Sequence, residues 1–193
     1  MRTPALSPTC LALALALVSC RSTAGIDKGE ALAARSVEMQ VDSSGRLTEI
    51  EYHLAPDQVP ESIRRAMDAL HPGGPFSDAE REFQGGRLYY ELNRAVAGRE
   101  VEAMFTADGR LHSEELQVGA EQVPDAVRAT VRALHPSGTV TQYEEIRDGE
   151  RALVEYHVKL REGERKLKVL LSPAGRHLAT YREIEAEIEV PID

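Results

Sequence analysis

Six histidines carry the first suggestion of chemistry: His53, His71, His112, His135, His157 and His177. An imidazole can move a proton near neutral pH or ligate a metal. No two of them stand four residues apart, so the helical ligand pair of a zinc protease is missing. His71 and His135 close two similar segments. A histidine at a helix end bonds the last carbonyls and opposes the helix dipole. His112 and His177 follow turn sequences and read as solvated. Carboxylates come in adjacent pairs, Glu114-Glu115 and Glu144-Glu145. Neighbours in a strand point to opposite faces, so the members of a pair cannot act on one group. They read as a solvated acidic surface. Asp42-Ser43-Ser44-Gly45 has its glycine fourth, where a calcium loop needs one sixth, and reads as a turn. No Gly-x-Ser-x-Gly nucleophile elbow occurs. Cys10 and Cys20 are the only cysteines, so the chain beyond residue 20 has no disulfide, thiolate zinc site or thiol nucleophile. This reading assigns no catalytic residue, no metal site and no cofactor.

The N-terminus supplies an address. Arg2 precedes an apolar run, Leu11 to Val18, far short of the roughly 20 residues that cross a bilayer. Residues 1–19 therefore read as a signal peptide. Leu17-Val18-Ser19-Cys20 resembles the lipobox of bacterial lipoproteins. The resemblance implies cleavage before Cys20, lipid attachment at Cys20 and a lipid anchor in the cell envelope. Arg21, rather than an aspartate, follows the cysteine, and this points to the periplasmic side of the outer membrane. Residues 20–35 are small, polar and charged, as in a tether. Formal charge is −9. Without residues 1–19 it becomes −10, from 22 basic and 32 acidic residues. An acidic chain with no tryptophan is not expected to bind nucleic acid.

The elements that position these residues are written twice. Residues 59–71 (VPESIRRAMDALH) and 123–135 (VPDAVRATVRALH) are both followed by proline. In each, apolar residues fall at helical spacing: Val59, Ile63, Met67 and Leu70, then Val127, Val131 and Leu134. Before the first helix, residues 37–54 alternate as a β-hairpin around the 42–45 turn. After each helix come four alternating segments, about 76–83, 87–96, 99–106 and 110–118, then 139–147, 151–161, 165–172 and 176–189. Alternation breaks parity after Leu47 and again after Leu111, which predicts a β-bulge at both places. Helices with one apolar stripe and sheets with one apolar face predict an α+β fold of two tandem repeats. Each repeat is one helix packed on a roughly four-stranded antiparallel sheet, preceded by an N-terminal β-hairpin. The boundaries are 36–118 for hairpin and first repeat, and 119–193 for the second.

This order resembles the PepSY-like, β-lactamase-inhibitor-like domains of exported bacterial proteins. The likeness rests on the Val-Pro helix starts, Pro72 and Pro136 after the helices, and Tyr90-Glu91-Leu92. It continues in Tyr156 with Val158 and in the turns Asp108-Gly109-Arg110 and Ala174-Gly175-Arg176. It spans residues 36–188. His71 and His135 depart from the family, which more often has tyrosine there. The resemblance implies a tandem-repeat exported protein. In its inhibitory relatives a concave sheet grips an enzyme, but those carry disulfides missing here.

The face of the sheet opposite the helices is the candidate partner-binding surface. In the first repeat it carries Tyr89, Glu91, Glu100, Glu102 and Met104. In the second it carries Glu155, His157, Lys159, Lys166 and Lys168, with Leu170. The first half is acidic and the second basic, a polarity suited to steering a partner. The expected function is a non-catalytic lipoprotein that binds or inhibits another envelope protein through this face or its loops. Two alternatives make distinct demands. A hydrolase needs two of His53, His112, His157 and His177 to converge with a carboxylate. A sensor needs a small-ligand or metal site between the repeats.

Overall fold

The computed structural model describes residues 25–192. The expected signal peptide and Cys20 lie outside the described residues. A short helix, α1 (Lys28–Ala33), is followed by the hairpin β1 (Val37–Val41) and β2 (Leu47–His53). The helix α2 (Glu61–Leu70) then leads to β3 (Asp78–Gln84), β4 (Arg87–Val96), β5 (Arg99–Thr106) and β6 (Leu111–Val118). The second helix of the pair, α3 (Asp125–Leu134), precedes β7 (Thr139–Asp148), β8 (Leu153–Glu162), β9 (Arg165–Leu171) and β10 (His177–Glu183). Pro60 and Pro124 stand one residue ahead of the helices, at the N-cap rather than inside.

The ten strands form one antiparallel sheet in chain order. This corrects the expected fold class: the protein is mainly β, not two helix-on-sheet repeats. Two pairings make the difference. The N-terminal hairpin joins the first repeat through β2 and β3, with Ile50 opposite Phe83. The repeats join each other through β6 and β7, with Val118 opposite Tyr143. Two separate sheets would each leave two unpaired edge strands, and one continuous sheet leaves only β1 and β10 as edges. The two ten-residue helices are about 15 Å long, enough to cover a patch of sheet and not a layer.

All three helices lie on the apolar face. Ile63 and Met67 of α2 pack on Leu92, Val101, Ala103 and Phe105. Val127 and Val131 of α3 pack on Val158, Leu160, Val169 and Leu171. Ala31 and Ala34, at α1, cover Ile50, Tyr52 and Leu54. Both predicted bulges are present. Gln40 pairs with Glu49 and Val41 with Leu47, leaving Thr48 extra. Met104 pairs with Ser113 and Phe105 with Leu111, leaving His112 extra. A third occurs at the equivalent place in the second repeat, where Leu178 is extra between His177 and Ala179. A bulge bends its strand and increases the local twist. Three of them, one after each such turn, help curl the sheet around its polar face. The curl is large: Glu38 on β1 interacts electrostatically with Lys168 on β9 and Lys159 on β8. In a flat sheet β1 and β9 would be roughly 38 Å apart, where screening would erase the interaction.

Candidate functional site

The concave face is built by ladder pairing, because residues opposite one another share a face. One row runs Glu38, Glu51, Glu82, Tyr89 and Thr106 across β1–β5. The next runs His53, Glu80, Glu91, Met104 and Ser113 across β2–β6. A third runs Asp78, Asn93, Glu102, Glu115, Ile146 and Glu155 across β3–β8. Glu144 then faces His157, and Lys159 faces Lys168. The ten residues of the expected binding face therefore do share one face, but most are not solvent-facing. Tyr89 and His157 are buried, and Glu91, Glu102, Met104, Glu155, Lys159 and Lys168 are half-buried. Only Glu100 and Lys166 are open to solvent.

Sequence reasoning missed the other half of this wall: Glu38, Glu49, Glu51, His53, Asp78, Glu80, Glu82, Glu115 and Glu144. A signal exists in the polar positions of two strands, Glu49-x-Glu51-x-His53 and Asp78-x-Glu80-x-Glu82. Its meaning depends on the hairpin and β7 belonging to one sheet, which alternation alone does not report.

Crowded carboxylates in a curl hold protons. Burial, the hydrogen bond that protonated Glu51 donates to Glu49, and the charges of Glu80 and Glu49 push Glu51 up to about 10. Burial, with Glu49, Glu80 and Glu115 nearby, pushes Glu82 up to about 8. Burial and Glu115 do the same to Glu102, also to about 8. Glu91 is raised by burial and by Glu102. His53 sits in a carboxylate nest. Its Nδ1 is 3.0 Å from Asp78 Oδ2 and 3.3 Å from Glu80 Oε1, and its Nε2 is 3.3 Å from Glu38 Oε1. The Glu38 hydrogen bond, aided by Glu80 and Asp78 against the cost of burial, raises it to about 9.

The second nest centres on His157, with Nδ1 3.6 Å from Glu115 Oε1 and Nε2 3.5 Å from Glu155 Oε2. Burial works to raise Glu115, yet the His157 contact and the Lys168 and Lys159 charges hold it below the usual range. Lys159 Nζ lies 2.8 Å from Glu144 Oε1. Burial opposes its charge, and Glu144 and Glu102 raise it nonetheless.

The remaining histidines go elsewhere. His112, the bulge residue, stacks on Tyr89 with centroids 4.6 Å apart. His177 Nε2 is 2.9 Å from Thr180 Oγ1. His71 and His135 do cap α2 and α3 with their backbone N–H. The His71 ring, however, turns to Glu114 Oε1 at 2.6 Å instead of to helix carbonyls. The paired carboxylates split between faces, as alternation requires, but they are not a solvated surface: Glu114 is 0% and Glu144 is 2% exposed.

No family model matches the chain, and no curated protein is similar to it in sequence. Solved structures are similar in shape. A DUF2874 family protein from Bacteroides uniformis superposes with a TM-score of 0.51 at 15% identity, over 64% of this chain and 89% of its own. A candidate periplasmic protein from Bacteroides eggerthii gives 0.52 at 19% identity, over 64% and 88%. A BLIP-like protein from Bacteroides fragilis gives 0.48 at 20% identity, over 66% and 89%, too loose a fit to bear on function. At such identities the likeness is one of fold, and the chain shares that fold with DUF2874 family proteins.

Proposed function

We propose that this chain is a non-catalytic binding module of the bacterial cell envelope, tethered through lipid on Cys20, whose concave face grips a positively charged segment of another envelope protein. One observation carries this reading. Carboxyl groups stand directly opposite one another in the ladder, Glu38 against Glu51, Glu51 against Glu82, Glu80 against Glu91 and Glu102 against Glu115. Ionised together such pairs would repel across the sheet, so they retain protons that a cationic partner can replace. A neighbour of this fold described as a candidate periplasmic protein, and the signal-like N-terminal sequence, support the location. The hydrolase alternative fares less well. His112 and His177 stand apart, and His53 and His157 belong to separate acidic clusters.

The test is binding of a labelled twelve-residue Lys/Arg peptide to the full chain, followed by fluorescence anisotropy. The basic peptide should bind, an acidic one should not, and added salt should weaken the complex. Replacing Glu80 and Glu91 together by glutamine should weaken it about tenfold, near 1.4 kcal/mol. Replacing the exposed helix residue Glu61 should change nothing. Equal binding of basic and acidic peptides would defeat the proposal.

A further inference from the structure

We infer that Glu115, Glu144 and His157 form a binding site for a divalent transition metal of the zinc class, at the seam between the repeats. Glu115 belongs to β6, the last strand of the first repeat, and Glu144 and His157 to β7 and β8 of the second. One ligating atom from each lies within 4.8 Å of the other two. This reading stands apart from the cationic-partner proposal and needs no protein partner.

A carboxylate cluster alone would mean little, but two atoms here are orphaned. His157 is 9% and Glu144 2% exposed, and His157 Nδ1 and Glu144 Oε2 have no hydrogen-bond partner. An unpaired buried polar atom is destabilising, and the same strands could have placed an apolar side chain at either position. The gap between His157 Nδ1 and Glu115 Oε1 is 3.6 Å, too long for a hydrogen bond. It is close to the edge of a tetrahedron with zinc–nitrogen and zinc–oxygen bonds, roughly 3.4 Å.

The surroundings match a metal site as well. The far nitrogen of His157 faces Glu155 Oε2 at 3.5 Å, the carboxylate–histidine arrangement that orients metal-bound imidazoles. The second oxygen of Glu144 is held by Gln142 Nε2 at 2.7 Å and Lys159 Nζ at 2.8 Å, which leaves Oε2 to ligate. Two carboxylates and a neutral imidazole balance a dication, so Lys159 is not displaced. The imidazole donor and the small oxygen count favour zinc, cobalt or nickel over calcium and magnesium. The His53 cluster is different: both ring nitrogens already meet carboxylates, so no lone pair is free.

The experiment titrates the metal-stripped full chain with zinc sulfate by calorimetry and with cobalt chloride by visible absorption. One equivalent should bind, cobalt should give the strong visible bands of a tetrahedral site, and calcium should not compete. Glu144→Gln and His157→Gln should each weaken zinc at least tenfold, and His53→Gln should leave it unchanged. Because a variant could unfold, the imidazole nitrogen-15 shifts of the unmodified chain provide a second reading. Zinc should move His157 Nδ1 and leave His53 in place. No zinc binding, binding undiminished in both variants, equal competition by calcium, or a shift at His53 alone would overturn the inference.

Discussion

The strongest single-residue commitment lies on the side away from the candidate site. Glu114 has no solvent exposure and accepts hydrogen bonds from His71 Nε2 at 2.6 Å and Arg151 Nε at 2.9 Å. Arg151 reaches it from a left-handed backbone conformation, φ 65°, which costs an L-residue about 1–2 kcal/mol. The contact therefore offsets strain as well as burial. Nearby, the guanidinium of Arg94, 1% exposed, bonds His71 O and Asp68 and lies over the Phe76 ring. Together these two charges fix the end of α2 against the sheet. Breaking one partner of a buried pair leaves the other uncompensated, which costs about 3–5 kcal/mol. Arg151 is half exposed and can return to water, so Glu114→Ala is expected near the low end, about 3 kcal/mol. Urea unfolding measures this, and a loss below about 1 kcal/mol would show that Glu114 is only a bystander. Alternation in the sequence correctly sends Glu114 and Glu115 to opposite faces. It cannot reveal that Glu114 meets a helix cap 43 residues away, because that contact depends on how α2 lies against the sheet.

Among the elements, the turns before the bulged strands are the most repeat-like feature and also the place where the repeats differ. Gly109 and Gly175 are equivalent turn glycines at φ 85° and 80°, a region that favours glycine. An added methyl at Gly109 would only touch Ile63 at 3.9 Å, but at Gly175 it would sit 2.7 Å from the backbone of Ala126 in α3. Gly175 O also accepts a hydrogen bond from Thr130 Oγ1 at 2.8 Å, so the turn is fastened to the helix. Gly109→Ala should then cost only the left-handed conformation, about 1 kcal/mol. Gly175→Ala should add an overpacking cost, for a total of about 3 kcal/mol. Comparing urea midpoints of the two variants tests the difference, and equal losses would refute the close approach. The helices, the turns and two of the bulges were legible because each leaves a periodic mark in its own residues. The pairing of β6 with β7 leaves none. Which strands meet edge to edge is set by how α3 folds back, and alternation reads only the two faces.

At the scale of the whole molecule, one continuous curled sheet turns scattered acidic strands into a proton-holding interior. Glu51, Glu82, Glu91 and Glu102 are all raised above the ordinary carboxyl value of 4.5 by burial and by one another. Between that value and about 8 the folded chain keeps protons that the unfolded chain has released, so stability falls as pH rises. His53 has the same sign. Its contribution is complete below 6.5 and lost as pH rises through about 9. Glu38 and Glu115, whose values are depressed, and the turn carboxylates Asp42 and Asp108 act oppositely, supporting the fold above their ordinary values and failing as acid protonates them. The melting temperature should therefore peak near pH 5, at about the crossing of the two groups, and decline to pH 9. Scanning calorimetry across that range is the check. A melting temperature that holds or rises from pH 5 to 9 would mean that the concave carboxylates are solvated after all. Glu51→Gln with Glu82→Gln removes two of the retained protons, so this variant should lose part of the decline and outlast the parent chain at pH 9. The same protons bear on recognition. A basic segment entering the curl replaces them, so its binding should release protons into the buffer. The observed binding heat should then change with the ionisation enthalpy of the buffer, whereas docking on a solvated acidic face would release none.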